Sequence, residues 1–148
     1  IAEVEIDPEY GRVFLARYGN VDDTGNMINP MIVEGQIKGG IAQGAGQVLL
    51  EQSVYDSDGQ LLTASFMDYA MPRADDLPLF QSSTFTDVPC LTNPLGVKGV
   101  GEIGTVGSIP TIANAILDAL WDQGVRKFDM PAYPQKIWKM IQDAKNLR

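Results

Sequence analysis

The sequence predicts an α+β fold in a single domain, residues 1–148: β-hairpins, a long glycine-rich helix and a second amphipathic helix. Three observations carry this. "AEVEI" and "RVFLARY" alternate polar and apolar residues on either side of a turn at Asp7–Gly11, the period-2 mark of paired strands. Ile37, Ile41, Ala45 and Val48 recur at helical spacing in one segment. Ile109, Ile112, Ala113, Ile116, Leu117 and Leu120 do the same in another, as a helix buried on one face requires.

The elements follow in order. After the first hairpin, "DDTGNMINP" is a turn that ends in a helix start. Asn29 is suited to the N-cap and Pro30 to the first helical position, where a missing N–H is no loss. A long helix is therefore expected from about Met31 to Gln52. "SVYDSDGQLLTAS" reads as a second hairpin around Asp56–Gly59. "MPRADDLP" is a loop, "QSSTFTDVP" a strand, and "NPLGVKGVGEIGTVGSIP" (93–110) a glycine loop. A second helix is expected over about Ser108–Trp121. A third, short helix fits "PQKIWKMIQDA", with Ile137, Trp138 and Ile141 on one face.

Composition narrows the chemistry. A chain that is 45% hydrophobic and 20% charged has what a globular core needs. No apolar run is expected to approach the roughly 18 residues of a membrane span, and no signal peptide is visible; a cytoplasmic location is the expectation. Ile1 falls inside a strand pattern, so the chain is expected to be an internal piece of something longer. A net charge of −8 with no basic cluster argues against nucleic acid as a partner. The single cysteine, Cys90, leaves no internal disulfide and no multi-cysteine metal site. With histidine absent, Ser-His-Asp and Cys-His nucleophiles and histidine metal ligation are all removed. Any acid–base group must be Glu, Asp, Lys or Tyr, and the hard chemistry belongs to a bound cofactor. "DSDG" at Asp56–Gly59 and "DDTG" lack the ligand spacing of a calcium loop and read as ordinary turns.

Gly35, Gly39, Gly40, Gly44 and Gly46 all fall inside the first helical pattern. Each costs about 0.8–1 kcal/mol against Ala in a helix interior, so close approach of another backbone or a ligand must offset them. At about 100° per residue, Gln36, Gly40, Gln43 and Gln47 share one face and the apolar stripe takes another. The glutamine face is either solvated or lines a polar ligand with amides that both donate and accept.

"GVGEIG" matches the dinucleotide fingerprint at Gly99, Gly101 and Gly104. That motif must follow a strand and open directly into a helix. Here "TNPLGVK" is no strand, and the helix is expected only near Ser108, so a nicotinamide-binding protein is the weaker reading. A surface of backbone N–H groups facing a polar ligand is the stronger one. Lys98 either adds a point charge there or lies in solvent. Glu102 is either one more solvated carboxylate or, in a desolvated pocket, a general base.

The stretch from "NPMIVEGQIKGGIAQGAGQVLLEQ" to "MPRADDLP", followed by "TNPLGVKGVGEIGTVGSIPTIANAILDAL", resembles the C-terminal part of the molybdenum-binding large subunit of the xanthine dehydrogenase / aldehyde oxidase / carbon monoxide dehydrogenase family. The resemblance covers nearly the whole chain and implies a molybdopterin cofactor, the cytosine dinucleotide form being common in bacterial relatives. In that family the pterin's own sulfurs hold the metal. The resemblance makes Glu102 the general base beside molybdenum and Gln36 a pterin contact, and lays the backbone of Lys98, Gly99, Val100 and Gly101 along the cofactor. It implies hydroxylation of an aldehyde or N-heterocycle with water, or oxidation of carbon monoxide, with electrons leaving through iron–sulfur clusters and FAD on partner domains or subunits. The family subunit is several times longer than this chain, so one wall of the site, an apolar interface with the remainder, self-association and no turnover in isolation are expected. A separately encoded cofactor-binding or assembly module, without catalysis, is the alternative.

Overall fold

The computed structural model describes residues 1–146. Strand β1 (Ala2–Ile6) pairs antiparallel with β2 (Val13–Asp23) from Ala2 opposite Tyr18 to Ile6 opposite Val13. The turn between them is held locally, the Asp7 carboxylate accepting from the main-chain N–H groups of Glu9 and Tyr10 at 2.8 and 3.2 Å. Gly11 closes it with φ at +71°, and a Cβ there would lie 2.2 Å from the Pro134 carbonyl oxygen. Only glycine fits both the angle and the approach.

Helix α1 (Pro30–Leu49) starts where Asn29 and Pro30 predict. Asn29 is extended, and its side chain accepts from the Ile32 N–H at 3.2 Å. The helix stops three residues short of the expected Gln52. Its apolar stripe of Ile37, Ile41, Ala45 and Val48 is fully buried. Helix α2 (Ile103–Trp121) lies against it and buries Ile112, Ile116 and Leu120 in the same core. At about 1.5–3 kcal/mol for each large apolar side chain removed from water, this shared core offsets the glycines of α1. Helix α3 (Pro134–Asn146) adds Ile137 and Ile141; Trp138, expected on the same face, is 45% exposed.

Three expectations need correction. Helix α2 begins at Ile103 rather than near Ser108, and it carries Pro110 in its interior. Proline and the dense glycines suggested a later start, but packing on α1 outweighs their poor propensity. Second, α2 has 19 residues and a mean hydropathy of 1.3, so it is long and apolar enough to cross a membrane, contrary to the expectation that no run would be. Its Gly104, Ser108, Ile112, Ile116 and Leu120 are buried in the contact with the rest of the fold. Third, the second hairpin reduces to one isolated bridge between Tyr55 and Leu61, around an Asp56 turn that caps the N–H groups of Asp58 and Gln60 at 2.9 Å each. The later strand, β3 (Gln81–Phe85), forms where "QSSTFTDVP" predicts one. It pairs in parallel with the far half of β2, from Gly19 opposite Gln81 to Asp23 opposite Phe85. The fold is α+β as expected, with a small three-stranded sheet beside the helix pair.

Candidate functional site

The two glycine-rich segments meet. Gln36, one turn and a half into α1, donates its side-chain amide to the Gly101 carbonyl oxygen at 2.7 Å, across 65 residues of sequence. One turn further along α1, Thr105 of α2 donates its hydroxyl to the Gly40 carbonyl at 3.1 Å and lies 3.5 Å from Gln43 Oε1. These contacts set the last residues of the glycine loop and the first turn of α2 along the glutamine face of α1.

Glu102 is the residue on which α2 starts. Its backbone carbonyl accepts the Val106 N–H at 3.0 Å, and its side chain makes no cap bond. The carboxylate is exposed at the positive end of the helix dipole. It borders an open depression of about 660 Å³ lined by Gly99, Gly101, Glu102, Ile103, Val106 and Gly107. Glu102 faces solvent, so the described residues leave its carboxylate hydrated.

The glycine loop is braced from its other side. Lys98 Nζ donates to Asp23 at 2.6 Å, which holds the Asp23 carboxyl below its ordinary range, with help from the Gly25 N–H. The Lys98 ammonium is thus committed to the end of β2, neither free in solvent nor pointed at a ligand. Asn26 donates to the Leu95 carbonyl at 2.8 Å, and Gly25 bridges Val97. Within the loop, Asn93 donates to the Val97 carbonyl at 2.9 Å and accepts from its N–H at 3.2 Å. Asp23, Asn26, Asn93 and Thr105 therefore position the site, and sequence reading missed all four. Asn93 preceding a proline carried a turn signal; Asn26 and Thr105 act through partners distant in sequence, and Asp23 adds the distant Lys98 to its local bond from the Gly25 N–H.

The glycines sort into two classes. A Cβ on Gly104 would lie 2.3 Å from the Ile37 carbonyl oxygen, one on Gly44 1.9 Å from Ser108 Oγ, and one on Gly40 3.0 Å from the Thr105 nitrogen. These three let α1 and α2 approach. Gly35, Gly39, Gly99, Gly101 and Gly107 would meet nothing within 4 Å, so packing within the described chain does not require them. Gly99, Gly101 and Gly107 line the depression beside Glu102, and Gly35 and Gly39 are exposed on α1. Among the described residues, no group of three His, Cys, Asp or Glu side chains could hold a metal.

Comparison with known proteins fits this arrangement. The molybdopterin cofactor-binding domain family matches residues 1–78. The chain is 42% identical over 134 residues to the nicotine 6-hydroxylase large subunit of Paenarthrobacter nicotinovorans, covering 90% of this chain and 16% of that protein. It is 39% identical over 140 residues to the carbon monoxide dehydrogenase large chain of Hydrogenophaga pseudoflava, covering 95% and 17%. Among solved structures it superposes on quinoline 2-oxidoreductase from Pseudomonas putida 86 with a TM-score of 0.89 at 41% identity, covering 95% of this chain and 18% of that one. On the Cu,Mo-CO dehydrogenase the TM-score is 0.90 at 34% identity, covering 96% and 18%. The chain thus spans under a fifth of the length of these relatives. It belongs to the molybdopterin cofactor-binding domain family of the molybdenum oxidoreductases.

Proposed function

We propose that the chain is the C-terminal portion of the molybdenum-binding subunit of a molybdenum hydroxylase and forms one wall of its molybdopterin site. The observation that carries this is the Gln36–Gly101 hydrogen bond, which puts Glu102 at the rim of a glycine face with open space above it. The residues present fit the group. Side chains at Gly99, Gly101 and Gly107 would crowd the depression beside Glu102, and the amides of Gln36 and Gln43 offer both donors and acceptors to a pterin edge. Among the described residues no ligand set could hold the metal, so the cofactor's own sulfurs would hold it. When bound, the group supplies the metal centre and takes up the substrate's electrons.

The chain's own residues divide the remaining work. Glu102 is the general base, and the rest of the subunit closes over it and excludes water. Gln36 orients the cofactor and fixes the Gly101 peptide at the same time. Lys98, Gly99, Val100 and Gly101 contribute main chain; the Lys98 ammonium only ties the loop to Asp23. The reaction class is hydroxylation with water of an aldehyde or N-heterocycle, or oxidation of carbon monoxide. The molybdopterin is the cytosine dinucleotide form, and iron–sulfur clusters and FAD on other domains or subunits carry the electrons away. Two similar proteins carry names that support such assembly, each a subunit or large chain of a larger complex.

The test is Glu102→Gln in the assembled enzyme. Turnover should fall by about three orders of magnitude or more with molybdenum content unchanged, because the fold's contacts at this position are main-chain ones. Unchanged turnover excludes Glu102 as the base and favours the non-catalytic cofactor-binding or assembly module instead.

A further inference from the structure

Among the described residues, three side chains line the depression at the start of α2: Glu102, Ile103 and Val106, the rest of its wall being Gly99, Gly101 and Gly107. Ile103 packs partly into the core. Val106 gains little from the chain's own fold. It is 66% exposed, and valine is a poorer helix former than alanine, so neither burial nor propensity accounts for it.

Helix geometry sets where Val106 points. At about 100° per residue it lies about 40° round α2 from Glu102, and about 100–160° from Gly104, Thr105 and Ser108, which meet α1. It stands about 6 Å further along the axis, and its N–H donates to the Glu102 carbonyl at 3.0 Å. A helical side chain leans toward the N-terminus, so Val106 leans back over the turn that Glu102 begins. Its β-branch leaves one strongly preferred rotamer in a helix, which holds both methyls in one place. The glutamines of α1 thus flank Glu102 on one side, and a fixed apolar wall flanks it on the other.

This arrangement restricts what lies against Val106. A general base needs the reacting atoms within hydrogen-bond reach of its carboxylate, about 2.6–3.2 Å. A polypeptide segment covering Val106 would enter the same depression and close that approach. A pterin finds its donors and acceptors along the amides, on the opposite side. Carbon monoxide, two atoms long, does not extend from Glu102 to a group about 6 Å along the helix. A flat ring does, with its reacting carbon over Glu102 and its apolar body on the valine methyls.

We infer that Val106 is a specificity-determining residue whose isopropyl group packs on the apolar body of a ring-bearing substrate, an N-heteroaromatic ring or an aryl aldehyde. This contact deepens the proposed function and rests on the molybdopterin site being built around Glu102.

The test compares wild type, Val106→Ala and Val106→Thr in the assembled enzyme, with benzaldehyde, acetaldehyde and isoquinoline as probes. The two aldehydes share a reacting group and differ in the ring. Val106→Ala should lower the benzaldehyde-to-acetaldehyde ratio of kcat/KM about fivefold or more, chiefly through KM for benzaldehyde. Val106→Thr keeps the shape of valine and exchanges a methyl for a hydroxyl, and should lower the ratio about threefold. Calorimetry in a Glu102→Gln background, where turnover is blocked, should show isoquinoline binding weakened by a like factor when Val106→Ala is added, with molybdenum content unchanged. The isolated Val106→Ala chain should melt no lower than wild type. Four results would overturn the contact. An unchanged ratio removes the ring from the valine. Loss of molybdenum in Val106→Ala puts the valine against the cofactor. A lower melting temperature of the isolated variant puts it in the chain's own packing. Failure of wild type to bind or turn over either ring probe removes the substrate class. Full turnover by Glu102→Gln beside a lowered ratio in Val106→Ala would instead defeat the base and leave the contact standing.

Discussion

Helix α1 carries two sets of glycines that look alike in sequence and do opposite things in the fold. Gly40 and Gly44 face α2 and, with Gly104 opposite, let the two backbones come together. Gly35 and Gly39, about 100–180° round the same helix from them, face open space. The first set explains itself by packing. The second weakens the helix and gains nothing within the described chain, so its gain lies with whatever approaches that face. Helix propensity is equally unfavourable at both; only the neighbours differ.

The sharpest way to break this comparison is Gly104→Ala. Its Cβ meets the Ile37 main-chain carbonyl, which cannot move without shifting α1, so the chain should lose about 2–4 kcal/mol or more in thermal or denaturant unfolding. Gly44→Ala should lose less, about 1–3 kcal/mol, because the nearest atom is the Ser108 hydroxyl, which can rotate away from Thr105, the residue whose carbonyl it now bonds. Gly39→Ala should have the opposite sign. The isolated chain gains about 0.5–1 kcal/mol, a rise of about 2–4 °C in melting temperature by calorimetry, while molybdopterin retention in the assembled enzyme falls. If Gly39→Ala both stabilises the chain and leaves cofactor content intact, the open set has no ligand to serve.

The smallest effect tests the brace behind the loop. Lys98 lowers the Asp23 pKa below its unfolded value, so the tether's contribution is present above the ordinary aspartate range and is lost as pH falls through the lowered value. Melting scans between about pH 6 and pH 2 should show wild type losing this increment on acidification. Lys98→Met should lack that part of the slope, and its loop should become more accessible to protease near Gly99. Identical pH profiles for the two proteins would remove the tether from the account.

Much of the scaffold was readable along the chain. Asn29 and Pro30 announced the start of α1, and the spacing of Ile37, Ile41, Ala45 and Val48 named its core face, as Ile112, Ile116 and Leu120 did for α2. The two glycine-rich motifs, expected to share a site, do meet through the Gln36–Gly101 hydrogen bond. What misled was local punctuation. Pro110 and the glycines before it argued for a late start to α2, and "SVYDSDGQLLTAS" argued for a hairpin that amounts to one bridge.

By itself, then, the sequence determined where the first hairpin and the helices form and which side chains are core. Capping, periodicity and composition act over a few residues and leave their mark in order along the chain. Only the tertiary structure decided that β3 runs parallel to β2, that Lys98 belongs to Asp23, that Gln36 reaches Gly101, and which glycines are filled. Those outcomes depend on atoms 60 or more residues apart arriving at one place, and no local preference encodes a distance between them.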